Sequence, residues 1–287
     1  MPAKLNDKWY NYCYPSLINE EKWKKLIPDE LRPTGDSVLK NIYYVNGLWN
    51  EFERARKFTS AIQKKFDDDE ENVEKTNVRL VYNEHEGKIA DLVEAMLDKI
   101  WVRGKPILNP TTITLISILY NAYTNKKEIG IIGHSQGTLI TYNAIIEFSK
   151  LGNKHEEFLK NNVRVFLCSP MITKASLSKI KKLVHFDYYT NPKDHLPDYV
   201  NSLLAKITIV YVEGLLTKIF GSDINKVLVV KALVKLKDMV GRKLEKTEEW
   251  KKAAKEETEN ADKDSMFYYH DFLNGYIGKI TKNFFKQ

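Results

Sequence analysis

The chain has 287 residues, of which 43% are hydrophobic and 11% aromatic, values that exclude a disordered or low-complexity polypeptide. Its length fits one α/β domain, 1–287, with room for an insertion. A net charge of +7 and an isoelectric point near 9.0 describe a lysine-rich surface or attraction to anionic membranes and acidic partners. No nucleic-acid-binding motif accompanies the charge, so no nucleic acid is expected as a partner.

Cys13 and Cys168 are the only cysteines, and their contexts differ too much for a disulfide framework, which fits a reducing compartment. No Cys/His cluster has metal-ligand spacing, so no metal is expected. Met1 to Asp7 has no apolar signal-peptide core, and no run reaches the ~20 uncharged apolar residues of a membrane span. Lys206, Glu213, Lys218 and Lys231 break the longest candidates. The expected location is cytoplasmic, with peripheral membrane contact open.

Residues 1–38 are aromatic-rich and irregular, punctuated by Pro15, Pro28 and Pro33. Strands and helices then alternate. Asn41 to Val45 is a predicted strand, and Asn50 to Phe66 a helix whose apolar positions are Phe52, Ala55, Phe58 and Ile62. Asp67 to Glu71 is an acidic surface turn. A second strand covers Val78 to Tyr82, and Ile89 to Ile100 is an amphipathic helix. Thr111 and Thr112 are placed to cap a helix running to Ala122. Glu128 to Ile132 is a short buried strand and Thr138 to Ile146 a helix. Val163 to Cys168 is a fourth strand, ended by the turn Ser169-Pro170, and Lys182 to Tyr189 a fifth. This alternation predicts a mostly parallel sheet flanked by helices, with its chemistry beyond the C-terminal strand ends.

Residues 196–266 break the rhythm. Asn201 to Phe220 and Ile224 to Leu244 both have helical spacing, and in the second Val229, Leu233, Leu236, Val240 and Leu244 share a face opposite Lys231, Lys235, Asp238 and Arg242. The segment reads as a helical insertion or lid. Its basic amphipathic helix also motivates a rival reading, a membrane-surface or protein-binding module with little catalysis.

Between the strand ending at Ile132 and the helix starting at Thr138 stands Gly133-His134-Ser135-Gln136-Gly137. A Gly-x-Ser-x-Gly at a strand-to-helix junction is a nucleophile elbow, with glycines where side chains would clash and an exposed hydroxyl at a helix N-terminus. Such a serine needs a base, an orienting acid and two oxyanion donors. Asp194 lies in the turn Thr190-Asn191-Pro192-Lys193-Asp194 after the fifth strand, with Asp198 the alternative acid in the same loop. Asp187 lies within that strand and is turned to a sheet face. His270, before a helical pattern of Phe272, Tyr276, Ile277 and Ile280, is the candidate base. His195 adjoins Asp194 and diverges from it, His85 and His155 lie in charged surface segments, and His185 is mid-strand. His134 shapes the elbow. The oxyanion donors are the N–H of Gln136, after the nucleophile, and of Leu48, in the loop Asn46-Gly47-Leu48-Trp49-Asn50, where Gly47 permits close approach.

Together, the elbow, Val45-Asn46-Gly47-Leu48, the Asp194 loop and the His270 loop resemble the α/β-hydrolase superfamily, in particular its lipase/esterase and thioesterase-like members. The likeness covers about residues 38–195 and 265–287. It implies an α/β-hydrolase fold with Ser135 as nucleophile, His270 as base and Asp194 as orienting acid. The activity it implies is hydrolysis of a carboxylic ester, a small-molecule or lipid ester or an acyl thioester, with no cofactor. The chain departs from the pattern in having no clear counterpart of the first two antiparallel strands before residue 38. Asn46 stands where many members have histidine, and the strand before His270 is very short.

Overall fold

The computed structural model describes residues 40–48, 50–68, 76–84, 95, 98–99, 101–102, 105–106, 109–195, 197–198 and 270–280. In chain order these form β1 (Lys40–Val45), α1 (Phe52–Asp67), β2 (Thr76–Val81), the two-residue strands β3 (Trp101–Val102) and β4 (Lys105–Pro106), and α2 (Pro110–Thr124). They continue with β5 (Ile129–His134), α3 (Gln136–Ser149), α4 (Asn153–Asn162), β6 (Val163–Cys168), α5 (Lys174–Ile180), β7 (His185–Tyr189) and α6 (Phe272–Gly275). The helical insertion expected over 196–266 lies outside the described residues except for 197–198, as do residues 1–38 and most of the helix expected over Ile89 to Ile100.

Five strands make one parallel sheet in the order β2-β1-β5-β6-β7, while β3 and β4 form a separate antiparallel pair. Strands buried on both faces need no polar alternation, and β5 (Ile-Gly-Ile-Ile-Gly-His) is buried at all six positions. Ile42 and Tyr44 of β1 share a core cluster with Phe58, Ile62 and Phe66 of α1, Ile132, Phe166 and the C-terminal Phe272, Tyr276 and Ile280. Tyr43 and Val45 alternate with them and are equally buried, so they point to the other face. The register aligns Val45 with Gly133, and His134 with Cys168, which in turn pairs with Tyr189. The loops after β1, β5, β6 and β7 therefore all start at one edge of the sheet.

Local chemistry revises several boundaries. Asn109, not Thr111 or Thr112, caps α2: its side chain accepts from the Thr112 N–H at 2.7 Å, with Pro110 opening the helix. Phe52 is 49% exposed rather than core, its ring packed edge-on to Tyr82. His155 is half-buried in an aromatic cluster, 4.4 Å from the Tyr123 ring centre, rather than on an open surface. His185 opens β7 and is exposed instead of lying mid-strand.

Backbone approaches backbone closely at Gly137. A Cβ there would sit 2.2 Å from the Val45 carbonyl oxygen and 2.8 Å from its carbon, so α3 rests directly on the end of β1. Backbone cannot swing aside as a side-chain tip can, and overpacking of this kind costs about 3 kcal/mol or more. Gly137→Ala is expected to lower Tm by about 6 °C or more. Gly278→Ala, where a Cβ meets nothing within 4 Å, should leave Tm unchanged in the same thermal scan.

Candidate active site

Ser135 joins β5 to α3 with φ 55° and ψ −121°, a left-handed conformation that costs a non-glycine residue about 1–3 kcal/mol. Three hydrogen bonds hold it: its N–H donates to the Cys168 carbonyl at 3.0 Å, and its carbonyl accepts from the Thr138 N–H at 2.9 Å and the Thr138 hydroxyl at 2.6 Å. The flanking glycines are steric requirements. A Cβ on Gly133 would lie 2.9 Å from both the Gly137 carbonyl oxygen and Thr141 Oγ1. Gly47, in the loop after β1, lies over the serine, since a Cβ there would fall 2.4 Å from Ser135 Cβ and 2.8 Å from the His134 carbonyl oxygen. The carbonyls of Gly47 and Leu48 accept from the Asn50 amide at 3.2 and 3.0 Å, which fixes the turn of this loop.

Asp194 and His270, 76 residues apart, meet at this end of the sheet. His270 Nδ1 is 2.9 Å from Asp194 Oδ2, and both side chains are buried. The Asp194 loop is a tight turn closed by Asp194 N–H on the Asn191 carbonyl and Lys193 N–H on the Asn191 side chain. The same carboxylate oxygen accepts from the Ser169 hydroxyl at 2.6 Å and from the Tyr276 hydroxyl. Burial pushes the carboxyl up, but the His270 charge and the bonds from His270, Ser169 and Tyr276 outweigh it and hold Asp194 well below the usual carboxylate range. Burial and the Asp194 charge push the Tyr276 phenol up, so it remains a donor.

His134 is a structural tie. Burial, reinforced by the nearby His270 charge, pushes its pKa well down, so the ring is neutral. Its Nε2–H donates to the His270 carbonyl at 3.0 Å. The segment carrying His270 is further pinned by the Arg54–Asp271 ion pair at 2.5 Å and by Phe272, which packs 5.0 Å from Tyr44. These contacts put His270 beside the residues that flank Ser135. His134 precedes the serine, and Ser169, 3.2 Å from His270 Nδ1, follows the Cys168 whose carbonyl holds the Ser135 N–H. Ser135 is fully buried rather than exposed, because the Gly47 loop lies over it and Met171 stands against its hydroxyl. Among the described residues Ser135 Oγ bonds to Met171 Sδ at 3.4 Å, and the buried His270 Nε2 has no hydrogen-bond partner.

The structure thus brings Ser135, Asp194, His270, Gly47, Leu48 and Gln136 to one strand edge. It leaves Asp198 and His195 exposed, and Asp187 on the surface bonding to the Tyr188 N–H. Sequence reasoning missed Ser169, Tyr276 and Met171. Ser169 had one signal, a hydroxyl residue just past a C-terminal strand end, and like Ser135 after the neighbouring strand it takes a positive φ, 52°. Cys168 is a buried free thiol whose pKa burial pushes up. A surface cavity of about 500 Å³ beside β2, lined by Phe52, Arg56, Arg79, Tyr82 and Thr111 among others, holds none of these residues. Among the described residues no group of three or more His, Cys, Asp or Glu side chains could hold a metal ion, and no helix is long and apolar enough to cross a membrane. No protein-family model, curated protein or solved structure matches the chain.

Proposed function

We propose that the protein is a serine hydrolase of the α/β-hydrolase fold that cleaves a carboxylic ester, a lipid or small-molecule ester or an acyl thioester, through an acyl-enzyme. The observation that carries this reading is the left-handed Ser135 elbow beside a buried Asp194–His270 pair. In the proposed reaction Ser135 Oγ turns from the Met171 sulfur towards the acyl carbonyl and gives its proton to His270 Nε2. Asp194, kept ionised by three donors, orients the ring through Nδ1–H and stabilises the imidazolium. The tetrahedral oxyanion accepts from the N–H of Gln136, which opens α3 and has no intrahelical carbonyl to bond, and from the N–H of Leu48. Collapse expels the alkoxide or thiolate, which takes the proton from Nε2. Water then attacks the acyl-serine with His270 again as base, and releases the acid.

The acid assignment is separately testable. Asp194→Asn leaves the packing nearly intact but loses the charge that supports the imidazolium, and is expected to lower kcat on a p-nitrophenyl ester by about 10³- to 10⁴-fold. Asp198→Asn, at an exposed position, should keep kcat within about twofold, a surface change away from any buried partner. Inactivation by Asp198→Asn with an active Asp194→Asn would move the acid to Asp198.

A further inference from the structure

Both oxyanion donors assigned above rest on one chain of buried amides. Asn46 follows β1 and clamps Asn83, two residues past β2, at two points: its Oδ1 accepts from the Asn83 N–H at 2.6 Å and its Nδ2 donates to the Asn83 carbonyl at 2.8 Å. Asn83 Nδ2 donates to Gln136 Oε1 at 2.9 Å, while Asn83 Oδ1 accepts from the Thr111 hydroxyl at 3.2 Å. Gln136 Nε2 in turn donates to Asp98 Oδ2 at 3.0 Å. The same Asp98 oxygen accepts from Asn109 Nδ2 at 3.1 Å, and the Asp98 carbonyl accepts from Asn143 Nδ2 at 2.7 Å. Asn46, Asn83, Gln136 and Asp98 are each no more than 3% exposed.

An amide can offer either end to a neighbour, so a chain of amides has two possible polarities. Asp98 Oδ2 removes the choice. It accepts from two donors, so Gln136 must present its NH₂ there and its oxygen to Asn83. Asn83 must then present its NH₂ to Gln136 and its oxygen to the Thr111 hydroxyl. One carboxyl oxygen thereby sets the orientation of Gln136 and Asn83, and the Asn83 backbone sets that of Asn46 at the start of the loop that carries Gly47 and Leu48. Such a network is costly to leave half-satisfied in a buried setting, which makes it rigid when complete. The Asp98 carboxyl fits an acceptor role that does not require full ionisation: burial raises its pKa to about 7 against the opposing bonds from Gln136 and Asn109.

Resting on the esterase reading, we propose that Asp98 is a positioning residue, acting through Gln136 and Asn83 to hold the Gln136 and Leu48 N–H groups at the spacing that the tetrahedral oxyanion requires. It touches no reacting atom. Its removal should act on the transition state and spare ground-state binding, because a loosened oxyanion hole loses more against the oxyanion than against the carbonyl.

The test compares Asp98→Leu, similar in size but without an acceptor, with Asp98→Asn, which keeps an oxygen where Oδ2 lies. Gln136→Met is the second disrupting variant, preserving side-chain length and the backbone N–H. On a p-nitrophenyl ester, Asp98→Leu and Gln136→Met are expected to lose about 10- to 100-fold in kcat with KM within about twofold. Affinity for a trifluoromethyl ketone, whose serine adduct bears the oxyanion, should fall in parallel. Asp98→Asn should restore both to within about threefold, since its oxygen can still accept from Gln136 and Asn109. Unchanged kcat in either disrupting variant, with wild type active, overturns the positioning role alone. An equal loss in Asp98→Asn, or a loss confined to KM, overturns it as well. If Asp98→Leu does not fold, Gln136→Met and Asp98→Asn decide by the same criteria. A folded wild type with neither turnover nor ketone binding overturns the esterase reading and this proposal with it.

Discussion

Ser135→Ala is expected to abolish hydrolysis of short p-nitrophenyl esters, by about 10⁴-fold or more in kcat, and to leave thermal stability unchanged. The stability half follows from the structure. The hydroxyl makes a single weak bond to the Met171 sulfur, while the bonds that hold the left-handed turn all use the Ser135 backbone, which alanine keeps. Alanine and serine are also similarly strained at φ 55°, so the substitution neither relieves nor adds strain. His270→Ala should cost nearly as much activity, and the double variant no more than either single one, because a nucleophile and its base act as one unit. Steady-state rates on the three variants, paired with thermal scans, check this. Additive losses would mean that the two residues do not share a step.

Gly47→Val should remove activity almost as completely by a different route. Its Cβ alone would fall 2.4 Å from Ser135 Cβ, 2.8 Å from the His134 carbonyl oxygen and 3.0 Å from Ser135 Oγ. Either the loop after β1 retreats, carrying the proposed Leu48 donor with it, or the serine is displaced. One lost donor costs about 10²- to 10³-fold in kcat, and a displaced nucleophile adds to that. The carbonyls of Gly47 and Leu48 are held by the Asn50 amide, so the loop has little freedom to absorb the change. Normal kcat in a folded Gly47→Val protein would move the second oxyanion donor elsewhere.

The parallel sheet was legible because its central strand is buried on both faces and carries no polar residue from Ile129 to Gly133. The elbow was legible because close backbone approach leaves glycine as a sequence mark. Gly133 and Gly137 each face backbone within 3 Å of a would-be Cβ, and Gly47 faces the serine itself. Asp194 was singled out by its place at a strand end, and in the structure it makes a buried bond to His270 while Asp198 is exposed. What stayed hidden was the set of partners reached only through tertiary contact. Tyr276 sits at helical spacing between Phe272 and Ile280 and looks like core, which its ring is; only its hydroxyl reaches Asp194. Asp98 lies in a segment read simply as an amphipathic helix, and nothing local marks a carboxyl that Gln136, 38 residues on, will meet. Asn109 and Thr112 exchanged cap and capped roles because both residue types favour the same helix terminus.

Covalent labelling with a fluorophosphonate followed by peptide mapping tests most directly whether Ser135 is the activated acyl nucleophile proposed above. The predicted result is a single adduct on Ser135, absent in Ser135→Ala and slowed by orders of magnitude in His270→Ala. Ser169 supplies an internal control, a buried serine also at positive φ that bonds to Asp194 but does not lead directly into a helix. A folded wild-type protein that takes up no label, or takes it up on Ser169 or another residue instead of Ser135, would contradict the account.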